Sequence, residues 1–162
     1  MLTASIAGSI FTAPPSGRIM HAFKCIASES KAGILVVIPN YTGDCLNFGI
    51  AIEKAKLSEI MVKEVIVGDD CSIPAENQSI AGRRGLVGML FVIKIASALA
   101  ETGASLDEVA ELATYVSQHI ATYGIGLSAC VVPMTLQLKI RHRIQKISLS
   151  LNYGVREKNL QY

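Results

Sequence analysis

A chain of 162 residues, 51% hydrophobic and 17% charged, is long enough and apolar enough to fill the core of one globular domain. Its 15 Lys and Arg against 13 Asp and Glu leave no field strong enough to draw in nucleic acid or an anionic membrane. The longest apolar stretch, 86–100, is too short for a bilayer span and contains Lys94, so it is expected to be a buried core helix.

The first eight residues are weakly apolar but lack a basic leader, and Pro14 and Pro15 follow soon after, which argues against a signal peptide. Beyond the prolines, Ile19, Met20, Phe23 and Ile26 recur at helical spacing, with Ser16 placed as an N-cap. Residues 33–38 form a continuous, β-branched apolar run suited to a strand buried on both faces, which Pro39 ends because it cannot donate to a ladder. A second helix is expected over 45–57, carrying Leu46, Phe48, Ile50, Ile52 and Ala55 inward and Glu53 and Lys54 outward. A second strand over 62–67 ends at Gly68-Asp69-Asp70, and a polar stretch over 72–82 leads into the helix at 86–100. Gly103 stands at a helix C′ position, and Ser105-Leu106-Asp107-Glu108 has the form of a capping box. The helix it opens should run to about Thr122, with Leu106, Val109, Leu112, Ala113, Val116 and Ile120 on its buried stripe. The stretches 125–132 and 136–151 have the composition of strands. Strands alternating with helices predict an α/β fold with a mainly parallel sheet flanked by helices.

In such sheets ligands gather at the loops leaving the carboxyl ends of the strands. Two loops qualify. In the first, residues 39–47, Gly43 permits a close backbone, Tyr41, Thr42 and Asn47 offer polar groups, and Asp44 opens a helix; taken on composition alone, Asp44 reads first as an N-cap. In the second, Asp69 and Asp70 are adjacent carboxylates that read as a solvated turn, with a metal or a basic partner as the sharper alternative. Arg83 and Arg84 between Gly82 and Gly85 suit either a phosphate clamp or an internal ion pair with those carboxylates, the pair being favoured. His21, His119 and His142 form no catalytic constellation. Cys25, Cys45, Cys71 and Cys130 lack the close spacing of zinc or redox motifs, and are expected to be buried free thiols in a reducing, cytoplasmic setting. The basic run Lys139, Arg141, Arg143 and Lys146 has no interleaved aromatics and reads as a solvated face. No nucleotide-binding glycine motif is present.

Together, Met1-Leu2-Thr3-Ala4, Asn40-Tyr41-Thr42-Gly43-Asp44-x-Leu46-Asn47-Phe48, Val67-Gly68-Asp69-Asp70, Ala81-Gly82-Arg83-Arg84-Gly85-Leu86, Lys94-Ile95-Ala96, Ser105-Leu106-Asp107-Glu108 and Gly126-Leu127-Ser128-x-Cys130-x-Val132-Pro133 resemble the substrate-binding domain of the dihydroxyacetone (glycerone) kinase family. The resemblance covers residues 1–133 as a partial dihydroxyacetone-binding kinase domain, with 134–162 a divergent C-terminal segment of the same domain. It implies binding of dihydroxyacetone or a related triose and its phosphorylation with ATP or a phosphorylated partner in glycerol and triose metabolism, with Asp44 as the carboxylate that contacts a substrate hydroxyl and takes its proton. It implies that this chain binds no cofactor itself, that ATP and Mg2+ belong to a separate nucleotide-binding helical kinase domain or subunit, and that the chain forms a homodimer. Three features depart from the family pattern: its Gly-His-Glu-Pro segment would precede Met1, Pro39 stands where a lysine is expected, and residues 149–156 carry no histidine to capture the carbonyl covalently. The implied alternatives are a catalytically inactive binding or regulatory protein and an incomplete product of a longer gene.

Overall fold

The computed structural model describes residues 2–72 and 82–125. Its elements, in chain order, are α1 (Ser16–Glu29), β1 (Ile34–Pro39), α2 (Thr42–Leu57), β2 (Val62–Val67), α3 (Met89–Glu101) and α4 (Leu106–Gln118). The two strands pair in parallel, in register from Ile34 opposite Val62 to Pro39 opposite Val67, with α2 as the crossover. Because β-strand side chains alternate between faces, β1 serves two cores. Ile34, Val36 and Ile38 pack with Ile19 and Phe23 of α1 and Phe48, Ala51, Ile52 and Ala55 of α2. On the opposite face Leu35 and Val37 join Val65 and Val67 of β2, Val92 and Ala96 of α3, and Val109, Ala113 and Val116 of α4. The expected α/β arrangement, a parallel sheet with helices on both faces, is the one observed.

Several boundaries differ from the sequence expectation. Pro15, in extended conformation, holds the N-cap position of α1, and its carbonyl accepts from the amides of Arg18 and Ile19. Ser16 is therefore the first helical residue and not the cap, because a proline carbonyl can close the first turn without any side chain. Helix α2 starts at Thr42, three residues before the expected point, with Tyr41 at the N-cap and Asp44 inside the first turn; Asp44 is not the cap. Within α2, Phe48, Ile52 and Ala55 are buried as expected, whereas Leu46 and Ile50 are exposed. Helix α3 begins only at Met89 and is buried on one face alone: Val92, Ile93 and Ala96 point inward while Leu90, Phe91 and Ile95 are exposed.

The capping box is formed as read. The Ser105 amide donates to Glu108 Oε2 at 2.8 Å and the Glu108 amide to Ser105 Oγ at 3.3 Å, while Gly103 adopts φ +87°, the left-handed geometry of a helix C′ residue. Helix α4 ends at Gln118 with His119 as its C-cap, short of Thr122, whose amide instead donates to the Asp69 carbonyl at 2.6 Å. That bond and the bridge between Asp70 and Thr122 return the chain to the carboxyl end of the sheet. The expected strands at 125–132 and 136–151, Cys130, His142, the basic run, the histidine-free stretch 149–156 and the division at 133/134 fall wholly or almost wholly outside the described residues.

Candidate functional site

The parallel register brings the ends of β1 and β2 side by side, and the loops that leave them form one surface. Past the last strand pair, the Asn40 amide still donates to the Val67 carbonyl at 2.9 Å. Residues 82–85 lie directly over this junction. A Cβ on Gly85 would stand 2.6 Å from the Val67 carbonyl oxygen, 2.7 Å from the Asn40 nitrogen and 2.7 Å from Pro39 Cα, so only glycine lets the two backbones meet there.

Asp44 sits half-buried in the first turn of α2. Burial pushes its carboxyl above the ordinary value, while its own backbone amide pulls in the opposite direction. The turn is closed by the Cys45 amide donating to the Tyr41 carbonyl at 2.9 Å, after Tyr41 has folded back on the Pro39 carbonyl at 2.8 Å. A partly desolvated carboxylate at the mouth of a parallel sheet is suited to accept a hydrogen bond, and then a proton, from a ligand hydroxyl.

Asp69 and Asp70 are not a solvated turn: each is 1% exposed. Asp69 accepts from the amides of Leu86 at 2.6 Å and Gly88 at 2.7 Å, fixing the turn that starts α3. This accounts for the late start of that helix, since a carboxylate on free N–H groups stabilises the turn that presents them. Asp70 Oδ2 accepts from Arg84 Nε at 3.1 Å and Nη2 at 2.9 Å, and Oδ1 from the Ser72 amide at 3.0 Å and hydroxyl at 2.5 Å. Burial alone would raise the Asp70 carboxyl, but the Ser72 and Arg84 hydrogen bonds outweigh it and hold it below the ordinary range. The favoured internal ion pair is thus present, made by Arg84 on Asp70. These contacts make both aspartates part of the scaffold beneath the site.

The other candidates fall outside this surface. His21 lies on the exposed face of α1, with its ring Nε2 3.7 Å from the Cys25 sulfur, and His119 caps α4, stacked on Tyr115. Cys25 and Cys71 are exposed and Cys45 is half-buried, which corrects the expectation of buried thiols; hydrophobic neighbours in sequence did not ensure burial at helix surfaces and turns. Among the described residues no group of His, Cys, Asp or Glu is arranged to hold a metal ion, and no helix is long and apolar enough to cross a membrane.

Sequence reasoning missed the role of Asn40. Its side chain joins the Asp44 turn to the 82–85 segment, through Arg83 O at 2.7 Å and Cys45 Sγ at 3.4 Å. An asparagine immediately after a strand-ending proline was the available signal, because such a residue is well placed to satisfy backbone groups that the ladder no longer pairs. Beside it, a groove of about 640 Å3 runs between β2 and α4, lined by Asn40, Gly68, Gly82, Arg83, Ser117 and Gln118 among others.

The family model described as the Dak1 domain matches residues 1–151. The chain is 44% identical over 133 residues to the triokinase/FMN cyclase of Homo sapiens, covering 82% of this chain and 23% of that protein. It is 44% identical over 134 residues to the dihydroxyacetone-binding subunit DhaK of the PTS-dependent dihydroxyacetone kinase of Lactococcus lactis, covering 82% of this chain and 39% of the subunit. Among solved structures, the dihydroxyacetone kinase of C. freundii in complex with AMP-PNP and Mg2+ superposes with a TM-score of 0.70 at 38% identity, over 76% of this chain and 22% of that one. The dihydroxyacetone kinase operon co-activator DhaQ superposes with a TM-score of 0.69 at 33% identity, over 76% of this chain and 37% of that one. The chain therefore spans between about a quarter and two fifths of the length of these relatives.

Proposed function

The chain belongs to the Dak1 domain family, and from that premise we propose that it is the triose-holding part of a dihydroxyacetone (glycerone) kinase, with Asp44 as the carboxylate that engages the substrate hydroxyl. The observation that carries the reading is the placement of Asp44: half-buried, with its carboxyl raised by that burial, at the carboxyl end of β1 where ligands of parallel sheets collect. A dihydroxyacetone hydroxyl donates to this carboxylate. As its oxygen attacks the terminal phosphorus of the donor, the bond from phosphorus to the leaving oxygen breaks and the hydroxyl proton passes to Asp44. A raised carboxyl is the better base for that step. Most of the remaining catalytic work in phosphoryl transfer is positioning and charge stabilisation, and we assign that to a separate nucleotide-binding helical domain or subunit carrying ATP and Mg2+. A homodimer and a cytoplasmic setting belong to the same reading, as does a division between the domain proper at 1–133 and a divergent segment at 134–162.

The test is a coupled assay of the purified chain with a nucleotide-binding kinase subunit, ATP, Mg2+ and dihydroxyacetone. Turnover is expected, and Asp44→Ala should lower it by about 10²-fold or more. Absence of both turnover and triose binding refutes the reading.

A second reading has its own support: the likeness to an operon co-activator, together with Pro39 in place of the family's lysine and no histidine over 149–156. In it the fold persists as a binding protein without turnover. It expects stable capture of a protein partner and no triose-induced change, and a covalent dihydroxyacetone adduct seen by mass spectrometry excludes it.

A further inference from the structure

Both polar atoms of the Asn40 side chain are engaged, and their partners belong to different parts of the fold. Nδ2 donates to the Arg83 carbonyl at 2.7 Å, in the segment that Gly85 lays across the strand ends. Oδ1 accepts from the Cys45 thiol at 3.4 Å, in the first turn of α2 beside Asp44. The orientation of the amide is fixed by its partners, since a carbonyl oxygen can only accept and so must face the NH2 group. Cys45 remains a donor because burial, with Asp44 and Glu64 nearby, favours the protonated thiol over the thiolate.

The start of the same helix is held on its far side. Asn47 Nδ2 donates to the Pro14 carbonyl at 2.9 Å, and a Cβ on Gly43 would stand 3.2 Å from Ala13 Cβ. The first two turns of α2, which bear Asp44, thus lie between residues 13–14 and the pair formed by Asn40 and the 82–85 segment. That segment is itself anchored to the loop leaving β2 by the Arg84 pair with Asp70 and by the Asp70 amide donating to the Arg84 carbonyl at 3.0 Å.

We propose that Asn40 is the positioning residue for Asp44, locking the first turn of α2 to the 82–85 segment so that the Asp44 carboxylate is presented at a fixed point over the strand ends. The proposal rests on the reading of Asp44 as the triose-contacting group. Its physical basis is that a hydroxyl is oriented productively only when the accepting group is held within a fraction of an ångström, and a backbone turn at a helix start has few bonds of its own to hold it.

The test reads Asp44 directly. The Asp44 carboxyl carbon is titrated by NMR in the wild-type chain, Asn40→Ala and Asn40→Ser, with a thermal melt of each. Asn40→Ala should release the turn, admit water and move the Asp44 titration down toward that of an ordinary carboxylate, while the melt stays cooperative. Asn40→Ser, whose hydroxyl can both donate and accept, should retain part of the raised titration. Dihydroxyacetone added to the same samples should bind about five- to tenfold more weakly to Asn40→Ala than to the wild type, the scale of one or two hydrogen bonds. An unchanged Asp44 titration in folded Asn40→Ala overturns the proposal; if that variant does not fold, an Asn40→Ser titration lying below the wild-type one supports it and one identical to wild type overturns it. If the wild-type chain binds no dihydroxyacetone, the substrate reading fails by itself, and the titration still decides whether Asn40 holds Asp44.

Discussion

Replacing Arg84 with methionine keeps most of the side-chain length and removes the guanidinium from Asp70. Asp70 is 1% exposed and accepts four hydrogen bonds, two from Arg84 and two from Ser72. Breaking a buried pair costs about 3–5 kcal/mol because the remaining charge is stranded. The Arg84 side chain is 30% exposed, and the Ser72 bonds persist, so the expected loss falls just below that range, at about 2–3 kcal/mol. For a chain of this size that is a fall in Tm of about 5–10 °C. The pH dependence has a definite sign. The folded carboxyl lies below its ordinary value, so its contribution is complete above the unfolded value of about 3.9 and is lost as pH falls through the lower folded one. In Arg84→Met the carboxyl rises and can relieve itself by taking a proton, so the loss should be largest at pH 7 and shrink on acidification. Urea melts of both proteins at pH 7 and near pH 4 measure this. Adding Asp70→Asn to Arg84→Met should recover more than about 1 kcal/mol at pH 7, as expected of residues in direct contact. A loss below about 0.5 kcal/mol at pH 7, or an equal loss at both pH values, would refute the placement of a buried, charged Asp70 on Arg84.

Gly85→Ala drives a methyl group into three backbone atoms at 2.6–2.7 Å, and should cost about 1–3 kcal/mol and perturb the amide signals of Asn40 and Val67; a neutral effect on chemical denaturation would show that the crossing is looser than described. Asp44→Asn removes a carboxylate whose charged form burial disfavours. The folded state holds that proton to higher pH than the unfolded state, so wild-type stability falls as pH rises through the interval between the two values, and the Tm of the asparagine variant relative to wild type should be higher at pH 7 than at pH 4. A relative Tm that moves the other way rules out the raised carboxyl. Among Cys25, Cys45 and Cys71, a thiol reagent at neutral pH should modify Cys45 last, since it is half-buried and its thiolate is disfavoured; peptide mapping that finds Cys45 modified first contradicts this.

The elements that periodicity governs were legible in the sequence. The β-branched run at 34–38 becomes β1, the second apolar run at 62–67 becomes β2, and Ser105 with Glu108 forms the reciprocal cap of α4. These follow from local rules: one residue type per face, and a hydroxyl and a carboxylate spaced to reach each other's amides. The helix starts were less legible. Helix α2 begins where Tyr41 folds back on Pro39, a backbone turn that side-chain pattern does not report, and α3 begins where Asp69, seventeen or more residues earlier in the chain, takes the amides of Leu86 and Gly88.

Fold class and the motif around Asp44 can be read along the chain, since a buried parallel strand, its terminating proline and the run from Asn40 to Asp44 are contiguous. The rest of the site was set by packing. Asp69 and Asp70 read as solvent-facing because adjacent carboxylates usually are, and became buried once Arg84, Ser72 and the start of α3 closed over them. Asn40 entered the sequence reading only as the first residue of a motif, and became a tie between two segments 43 residues apart. Pattern along a chain reports which face of an element is apolar; it does not report which distant backbone groups will be left needing a partner, and at the carboxyl ends of β1 and β2 those unpaired groups are what the side chains of Asn40, Asp69 and Asp70 satisfy.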